Sequence, residues 1–279
     1  MHTIQTVLTQ IKQKFSGITD TPELDAELLL AHVLQCSRTV FHTWPEREIS
    51  DTDYQTYLAL CESRCDGVPV AYILGLQSFW KFELRVTPDV LIPRPETELI
   101  VELVLEEFAD IKELSVVDLG TGSGAIALAL ASECPTWKIT AVDNSMAALE
   151  VAIENAKRLD ISKVHWERSD WYGALNNQKF NVIVSNPPYI AQDDAHLKAL
   201  RHEPPTALVA AEEGLAALTE IISHAPEYLL ENGYLFVEHG YQQADAVQEL
   251  MHSAGFKDIQ TYVDLASQPR VTRGIWRAI

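Results

Sequence analysis

Val116-Val117-Asp118-Leu119-Gly120-Thr121-Gly122-Ser123-Gly124 decides how the rest of the chain is read. A short β-branched run ends in an acid and three alternating glycines, and the apolar Ala125 to Ala131 that follows reads as a buried helix. Strand, glycine turn and helix make the opening of a βαβ unit. Glycines permit the tight turn and let a ligand approach bare backbone, while the helix N-terminus offers unpaired N–H groups to an anionic group. The loop alone leaves the ligand open, because Gly120, Gly122 and Ala125 also satisfy the G-x-G-x-x-G/A pattern of dinucleotide binders.

Downstream, Ile139-Thr140-Ala141-Val142, Phe180-Asn181-Val182-Ile183-Val184 and Tyr234-Leu235-Phe236-Val237 are strand-like runs separated by helical stretches. Such alternation implies an α/β, Rossmann-like domain, with a mostly parallel sheet covered by helices on both faces. Weaker runs from Ile259 to Val263 and from Gly274 to Ala278 are expected to complete the sheet. Asp143 closes the run after the glycine loop, about twenty residues on, where an acid accepts hydrogen bonds from both hydroxyls of a ribose. An adenosine-bearing cofactor follows, either a nicotinamide dinucleotide or S-adenosylmethionine. Further along, Asp170 is placed to read an adenine amino group, with the Trp171 indole packing on the cofactor.

Upstream, the first seventy or so residues read as helices. One opens at Thr21-Pro22-Glu23, where a cap-type hydroxyl precedes proline at the first helical position; Leu24, Leu28, Ala31 and Gln35 mark its spacing, and Leu29, Leu30, Val33 and Leu34 widen the apolar face. Trp80, Phe82, Leu84 and Val86 then alternate with polar neighbours as in a half-buried strand. A turn at Pro88-Asp89 and a partner strand at Val90-Leu91-Ile92 would close a hairpin between two domains. An amphipathic helix is expected after Pro95, running to about Asp110.

Asn186-Pro187-Pro188-Tyr189, directly after the Phe180 to Ser185 run, separates the cofactor readings. Ligands of an open α/β sheet bind beyond the carboxyl ends of its strands, so this tetrapeptide should face the same cleft as Gly120 to Gly124. Two prolines stiffen the loop and remove two N–H donors, leaving carbonyls free to accept. An Asn oxygen and a proline carbonyl can hold the two hydrogens of one NH2 group. Held in line with a sulfonium, a planar nitrogen can take a methyl group without a strong general base. Tyr189 is suited to pack on the planar group or face the sulfonium.

At these residues the chain closely resembles the bacterial peptide chain release factor glutamine N5-methyltransferases, the PrmC/HemK family. The likeness extends over Ala71-Tyr72-Ile73-Leu74-Gly75, Ile92-Pro93-Arg94-Pro95-Glu96-Thr97-Glu98, Glu203-Pro204, Gly214-Leu215, Asp264-Leu265-Ala266 and Arg270-Val271. The resemblance implies a helical substrate-binding domain over 1–75, a β-hairpin linker over 76–95 and a seven-stranded methyltransferase domain over 96–279. It further implies S-adenosylmethionine as cofactor and the glutamine of a release factor Gly-Gly-Gln loop as substrate. Gly120, Thr121, Gly122, Ser123, Gly124, Asp143, Trp171 and Asn186 would contact the cofactor, and Asn186, Pro187, Pro188 and Tyr189 would clamp the amide. Arg94 and Glu96 belong to a matching segment near the cleft. Ala210-Ala211 and Glu213 stand where relatives usually carry a Gly-Gly pair and an Asp, and His239 where an aliphatic residue is usual.

Charge narrows the partners. The formal net charge is -19, from 21 Lys and Arg against 40 Asp and Glu, with no basic cluster. Such a field repels a polyanion and disfavours the rival reading, an adenine or cytosine amino-methyltransferase using the same clamp. A nicotinamide-dependent oxidoreductase would leave Asn186 to Tyr189 without a purpose, and a non-catalytic binding module would leave the clamp unused. Cys36, Cys61, Cys65 and Cys134 have no His at metal spacing and read as buried thiols of a reducing cytoplasm, so no metal is expected. No run suits a signal peptide or membrane span, and a cytoplasmic monomer without membrane or direct nucleic-acid contacts is expected.

Overall fold

A computed structural model describes residues 2–176 and 178–277, so the expected end of the last strand at Ala278 lies outside the described residues. The chain divides into two compact units, Met1–Leu76 and Gln77–Ile279.

The first unit holds α1 (Ile4–Phe15), α2 (Pro22–Leu34), α3 (Thr39–Thr43), α4 (Asp51–Cys65) and α5 (Val70–Leu74). Helix α1 starts from a reciprocal cap, the Thr3 and Thr6 hydroxyls each accepting from the other residue's backbone N–H. Its buried stripe of Ile4, Val7, Ile11 and Phe15 has helical spacing. Helix α2 begins at Pro22 as its sequence implies, but the Thr21 hydroxyl caps nothing; it donates to Asp25 Oδ1 at 2.9 Å. Leu29 and Leu30 of the expected apolar face are buried, but Leu24 is exposed, and Asp25, Ala26 and Glu27 point inward with them. Ion pairs make that possible, because Arg64 meets Asp25 at 2.7 Å and Arg38 meets Glu27 at 2.6 Å. A hydropathy pattern cannot anticipate buried carboxylates that are matched by basic residues from other segments. All four cysteines are free thiols, Cys61 and Cys134 buried as expected but Cys36 and Cys65 only half-buried.

A two-stranded hairpin follows, β1 (Leu76–Phe79) and β2 (Phe82–Arg85). Its turn is Trp80-Lys81, not Pro88-Asp89, and Val90-Leu91-Ile92 forms no strand. Trp80 takes φ +56°, unusual for a bulky side chain, and two carboxylates hold it there. Its backbone N–H donates to Glu98 and its indole N–H to Glu133, each at 2.7 Å, while Lys81 pairs with Glu133. The alternating burial of residues 80–86 therefore spans a turn and a strand.

The second unit continues with α6 (Glu98–Phe108), β3 (Ser115–Leu119), α7 (Ala125–Glu133), β4 (Lys138–Asp143), α8 (Met146–Arg158), β5 (Val164–Arg168) and β6 (Phe180–Ser185). It ends with α9 (Ala216–Tyr228), β7 (Leu229–Glu238), α10 (Ala244–Ser253), β8 (Lys257–Val263) and β9 (Pro269–Ile275). Seven strands pair in the order β5-β4-β3-β6-β7-β9-β8, with β9 antiparallel to both neighbours. The fold is thus an α/β, Rossmann-like sheet. Strand period two sends Val116, Val182 and Val184 to one core, with Ile100, Val104, Ile126 and Leu130 of α6 and α7. Val117, Leu119, Ile183 and Leu235 go to the other, with Leu218, Ile221, Val247 and Met251 of α9 and α10.

Candidate functional site

Chain order and sheet order part company at β3. From there the chain runs to one side through β4 and β5, then crosses to β6 on the other side of β3. Leu119 and Ser185 are register partners, and the Ser185 hydroxyl donates to the Leu119 carbonyl at 2.7 Å. Gly120 and Asn186 therefore leave the carboxyl ends of hydrogen-bonded neighbours at the topological switch point, where ligands of open α/β sheets lie.

A cavity there is lined by Gly120, Thr121, Gly122, Ser123, Asp143, Asp170, Trp171, Asn186 and Pro188, together with Val90, Leu91 and Thr97. Gly120 and Gly122 sit at φ +72° and +56°, the left-handed region that side chains rarely adopt. A Cβ on Gly120 would lie 3.4 Å from the Trp171 ring, whereas one on Gly122 would project into open space. Gly124 does not line the cavity. A Cβ there would meet Leu128, Trp166 and Ala152 at 3.1 to 3.2 Å, and φ is +84°, so packing and the turn by themselves require this glycine.

Asp143 closes β4 with both oxygens engaged: Gly122 N–H donates to Oδ2 and Ser145 N–H to Oδ1, each at 2.9 Å. Burial raises its pKa, opposed by backbone donors at Ser145, Gly122 and Asn144, and the carboxylate keeps acceptor capacity for a hydroxyl. Asp118, wholly buried beneath the loop, is pushed by desolvation to about 7 although the Thr121 hydroxyl donates to it at 2.6 Å.

Asn186 also belongs to a second cavity, lined by Leu91, Arg94, Pro187, Tyr189, Ile190, Leu200, Ala207 and Leu208. Pro187 and Tyr189 line this cavity and Pro188 the first, so the tetrapeptide is a partition with Asn186 reaching both. Its backbone is held from behind. Gln243 Nε2 donates to the Tyr189 carbonyl at 3.1 Å, and Ile190 bridges to Val209. Gly214, at φ +88°, comes so close that a Cβ would stand 2.2 Å from the Tyr189 oxygen.

Side chains fix the front. Asn186 Nδ2 donates to Thr97 Oγ1 at 3.0 Å, Thr97 Oγ1 donates to Glu238 Oε2 at 2.7 Å, and the Tyr189 hydroxyl donates to Glu238 Oε1 at 3.0 Å. Glu238 is buried at the end of β7, and desolvation pushes it up to about 7 against these two donors and the nearby Arg270. Burial likewise raises the Tyr189 phenol, which stays neutral. Sequence reasoning assigned no role to Glu238 or Gln243 and placed Thr97 only inside a matching segment. The available signal was an acid at the carboxyl end of a strand.

Arg94 pairs with the buried Glu203, whose other oxygen accepts from Ile92 N–H at 3.1 Å. That ion pair braces the segment whose Leu91 belongs to both cavities. His239 is buried between the Gly240 carbonyl at 2.9 Å and Thr272 Oγ1 at 2.8 Å, and desolvation lowers its pKa. A neutral ring meets both partners by donating from Nδ1 and accepting at Nε2, which suits His where an aliphatic residue was expected. Ala210 is buried and donates its N–H to the Ile190 carbonyl at 3.0 Å, and Ala211 turns the chain toward Gly214. No described helix is long and apolar enough to cross a membrane.

Comparison with known proteins gives concordant matches. Residues 6–75 match the PrmC N-terminal domain model and residues 97–203 the methyltransferase small domain model. The chain is 45% identical over 271 residues to a release factor glutamine methyltransferase of Coxiella burnetii, covering 97% of this chain and 98% of that one. To the Escherichia coli protein of the same name it is 44% identical over 258 residues, 92% of this chain and 93% of that one. Among solved structures, a methyltransferase from Pyrococcus furiosus matches with a TM-score of 0.55 at 16% identity, over 72% of this chain and 92% of that chain. At that identity the likeness is one of fold.

Proposed function

This chain belongs to the release factor glutamine methyltransferase family, and we propose that the two cavities meeting at Asn186 hold its two substrates, S-adenosylmethionine on the glycine-loop side and a glutamine side chain on the Tyr189 side. The enzyme transfers the methyl group of S-adenosylmethionine to the side-chain amide nitrogen of a glutamine in peptide chain release factors. We assign that glutamine to the Gly-Gly-Gln motif. The observation that carries the site is the partition: one asparagine reaches both cavities.

The residues suit the cofactor. Open space over Gly122 admits a ligand against backbone, and Asp143, which lines the cavity, keeps acceptor capacity for a ribose hydroxyl. The Trp171 ring lies against Gly120, where it can pack on the adenosine. When bound, the cofactor supplies a methyl group on a sulfonium; as its carbon bonds to nitrogen, the C–S electron pair returns to sulfur and the surplus nitrogen proton leaves to solvent. An amide nitrogen is a poor nucleophile because its lone pair is delocalised, so the chain's contribution is orientation. Asn186 Oδ1 and the Pro187 carbonyl accept the two amide hydrogens and aim the nitrogen's face at the methyl carbon. Orientation of this kind is worth roughly 7 to 11 kcal/mol of barrier. Tyr189, held neutral, packs against the planar amide.

The helical unit, by this reading, grips the body of the release factor, with the hairpin as linker, and a cytoplasmic monomer suffices. Transfer of tritium from labelled S-adenosylmethionine to purified release factor, with its loop glutamine replaced as control, tests the assignment. Label in the intact factor alone is expected. Label in DNA, RNA or the glutamine-free factor would overturn it.

A further inference from the structure

With Glu238 ionised, every hydrogen in the chain from Glu238 to Asn186 has a forced direction. A Thr hydroxyl carries one hydrogen, and Thr97 directs it to Glu238 Oε2, leaving only a lone pair to present to Asn186. The Asn186 group that meets this lone pair must be the Nδ2 donor, as its 3.0 Å contact has it. With Nδ2 turned to Thr97, the amide oxygen is the end left for the cleft, and Oδ1 has no partner among the described residues. Were Thr97 unable to accept, the amide could rotate and offer a donor where a substrate NH2 group needs an acceptor.

From this geometry we infer that Glu238 and Thr97 are positioning residues that set which end of the Asn186 amide faces the glutamine. Glu238 has the right features for the task. It is 1% exposed, anchored at the carboxyl end of β7 beside β6, and its two oxygens take one hydrogen each from residues on separate segments. Through Thr97 it fixes the first residue of the tetrapeptide, and through the Tyr189 hydroxyl the last. Arg270 supplies positive charge beside it while Glu96 opposes it, so the carboxylate is partly compensated without a direct ion pair. The inference rests on the reading of Asn186 as the acceptor for the substrate amide.

The test is a set of variants read in three ways: kcat and KM with release factor, S-adenosylmethionine affinity by calorimetry, and thermal melting. Thr97→Val keeps the shape and removes the hydroxyl; kcat should fall about 10²-fold, the size of a misplaced reacting group, with cofactor affinity and melting nearly unchanged. Thr97→Ser restores the hydroxyl and should restore kcat. Glu238→Gln presents an amide donor that competes for the Thr97 oxygen, and should lower kcat without lowering the melting temperature. Wild-type kcat in Thr97→Val, or equal damage from Thr97→Ser, would overturn the inference, as would a loss confined to cofactor affinity. Asn186→Ala separates the two levels: if it is inactive while Thr97→Val is unimpaired, only the positioning role fails, and if it is fully active, the clamp itself fails.

Discussion

The two loops that meet at the cleft are built on opposite principles. Gly120 to Gly124 takes its turn from its own glycines at positive φ, and its polar contacts are mostly to backbone: Gly120 and Thr121 N–H donate to the Val142 carbonyl and Gly122 N–H to Asp143 of β4, Asn155 of α8 donates to the Ser123 carbonyl, and Asp118 accepts from Thr121. Asn186 to Tyr189 is shaped from without. Thr97, Glu238, Gly214 and Gln243, none of them near it in sequence, hold its side chains and carbonyl. A nucleotide-type ligand tolerates a generic cradle of backbone amides, whereas orienting a weak nucleophile needs an acceptor fixed to within about half an ångström.

Substitutions in the two loops should therefore fail differently. Asn186→Ala is expected to cost most, lowering kcat by about 10²- to 10³-fold or more, as loss of a preorganised polar group does, with the fold retained by circular dichroism. Activity near wild type would erase the distinction between the loops. Gly214→Ala comes next. Its Cβ would collide with the Tyr189 carbonyl at 2.2 Å and strain φ +88°, so the partition must move; kcat should drop about 10²-fold while cofactor affinity holds. Asp143→Ala should invert that pattern, weakening S-adenosylmethionine binding by roughly 1.5–3 kcal/mol in calorimetry with a smaller change in kcat at saturation.

The smallest effect is on stability against pH. Glu238 titrates near 7 in the folded chain against 4.5 for an ordinary glutamate, so the native state binds the extra proton between those values. A raised pKa contributes stability that is fully present below the unfolded value and is lost as pH rises through the folded one. Glu238→Gln should thus gain on wild type in melting temperature as pH goes from about 4.5 to 7 and hold its advantage above. A gap that does not change with pH would mean the carboxyl is not desolvated. Asp118, also near 7, adds to the same window in both proteins.

How much was legible in the sequence follows the same division. Gly120, Gly122 and Asp143 could be placed in one cleft from spacing, because local backbone chemistry dictates a glycine turn between a strand and a helix, whereas Trp171 needed the family resemblance. Gly124 could not be told apart from them, since its close neighbours Leu128, Trp166 and Ala152 come from packing. The hairpin was misplaced because its turn carries no glycine, asparagine or aspartate; Trp80 is held at positive φ by the carboxylates of Glu98 and Glu133. The burial of Asp25 and Glu27 beside Leu29 and Leu30 on α2 went unread for a like reason, since Arg64 and Arg38 reach in from elsewhere.

By itself, the sequence determined the α/β class and singled out the glycine loop and the Asn186 to Tyr189 tetrapeptide, which rest on short-range rules of periodicity, φ and proline stiffness. Only the tertiary structure decided that β6 lies beside β3, that Asn186 stands between two cavities, and that Glu238 reaches Thr97 and Tyr189 across more than a hundred residues and about fifty. Those contacts depend on strand order and on buried hydrogen bonds between distant segments, and neither leaves a local trace in the chain.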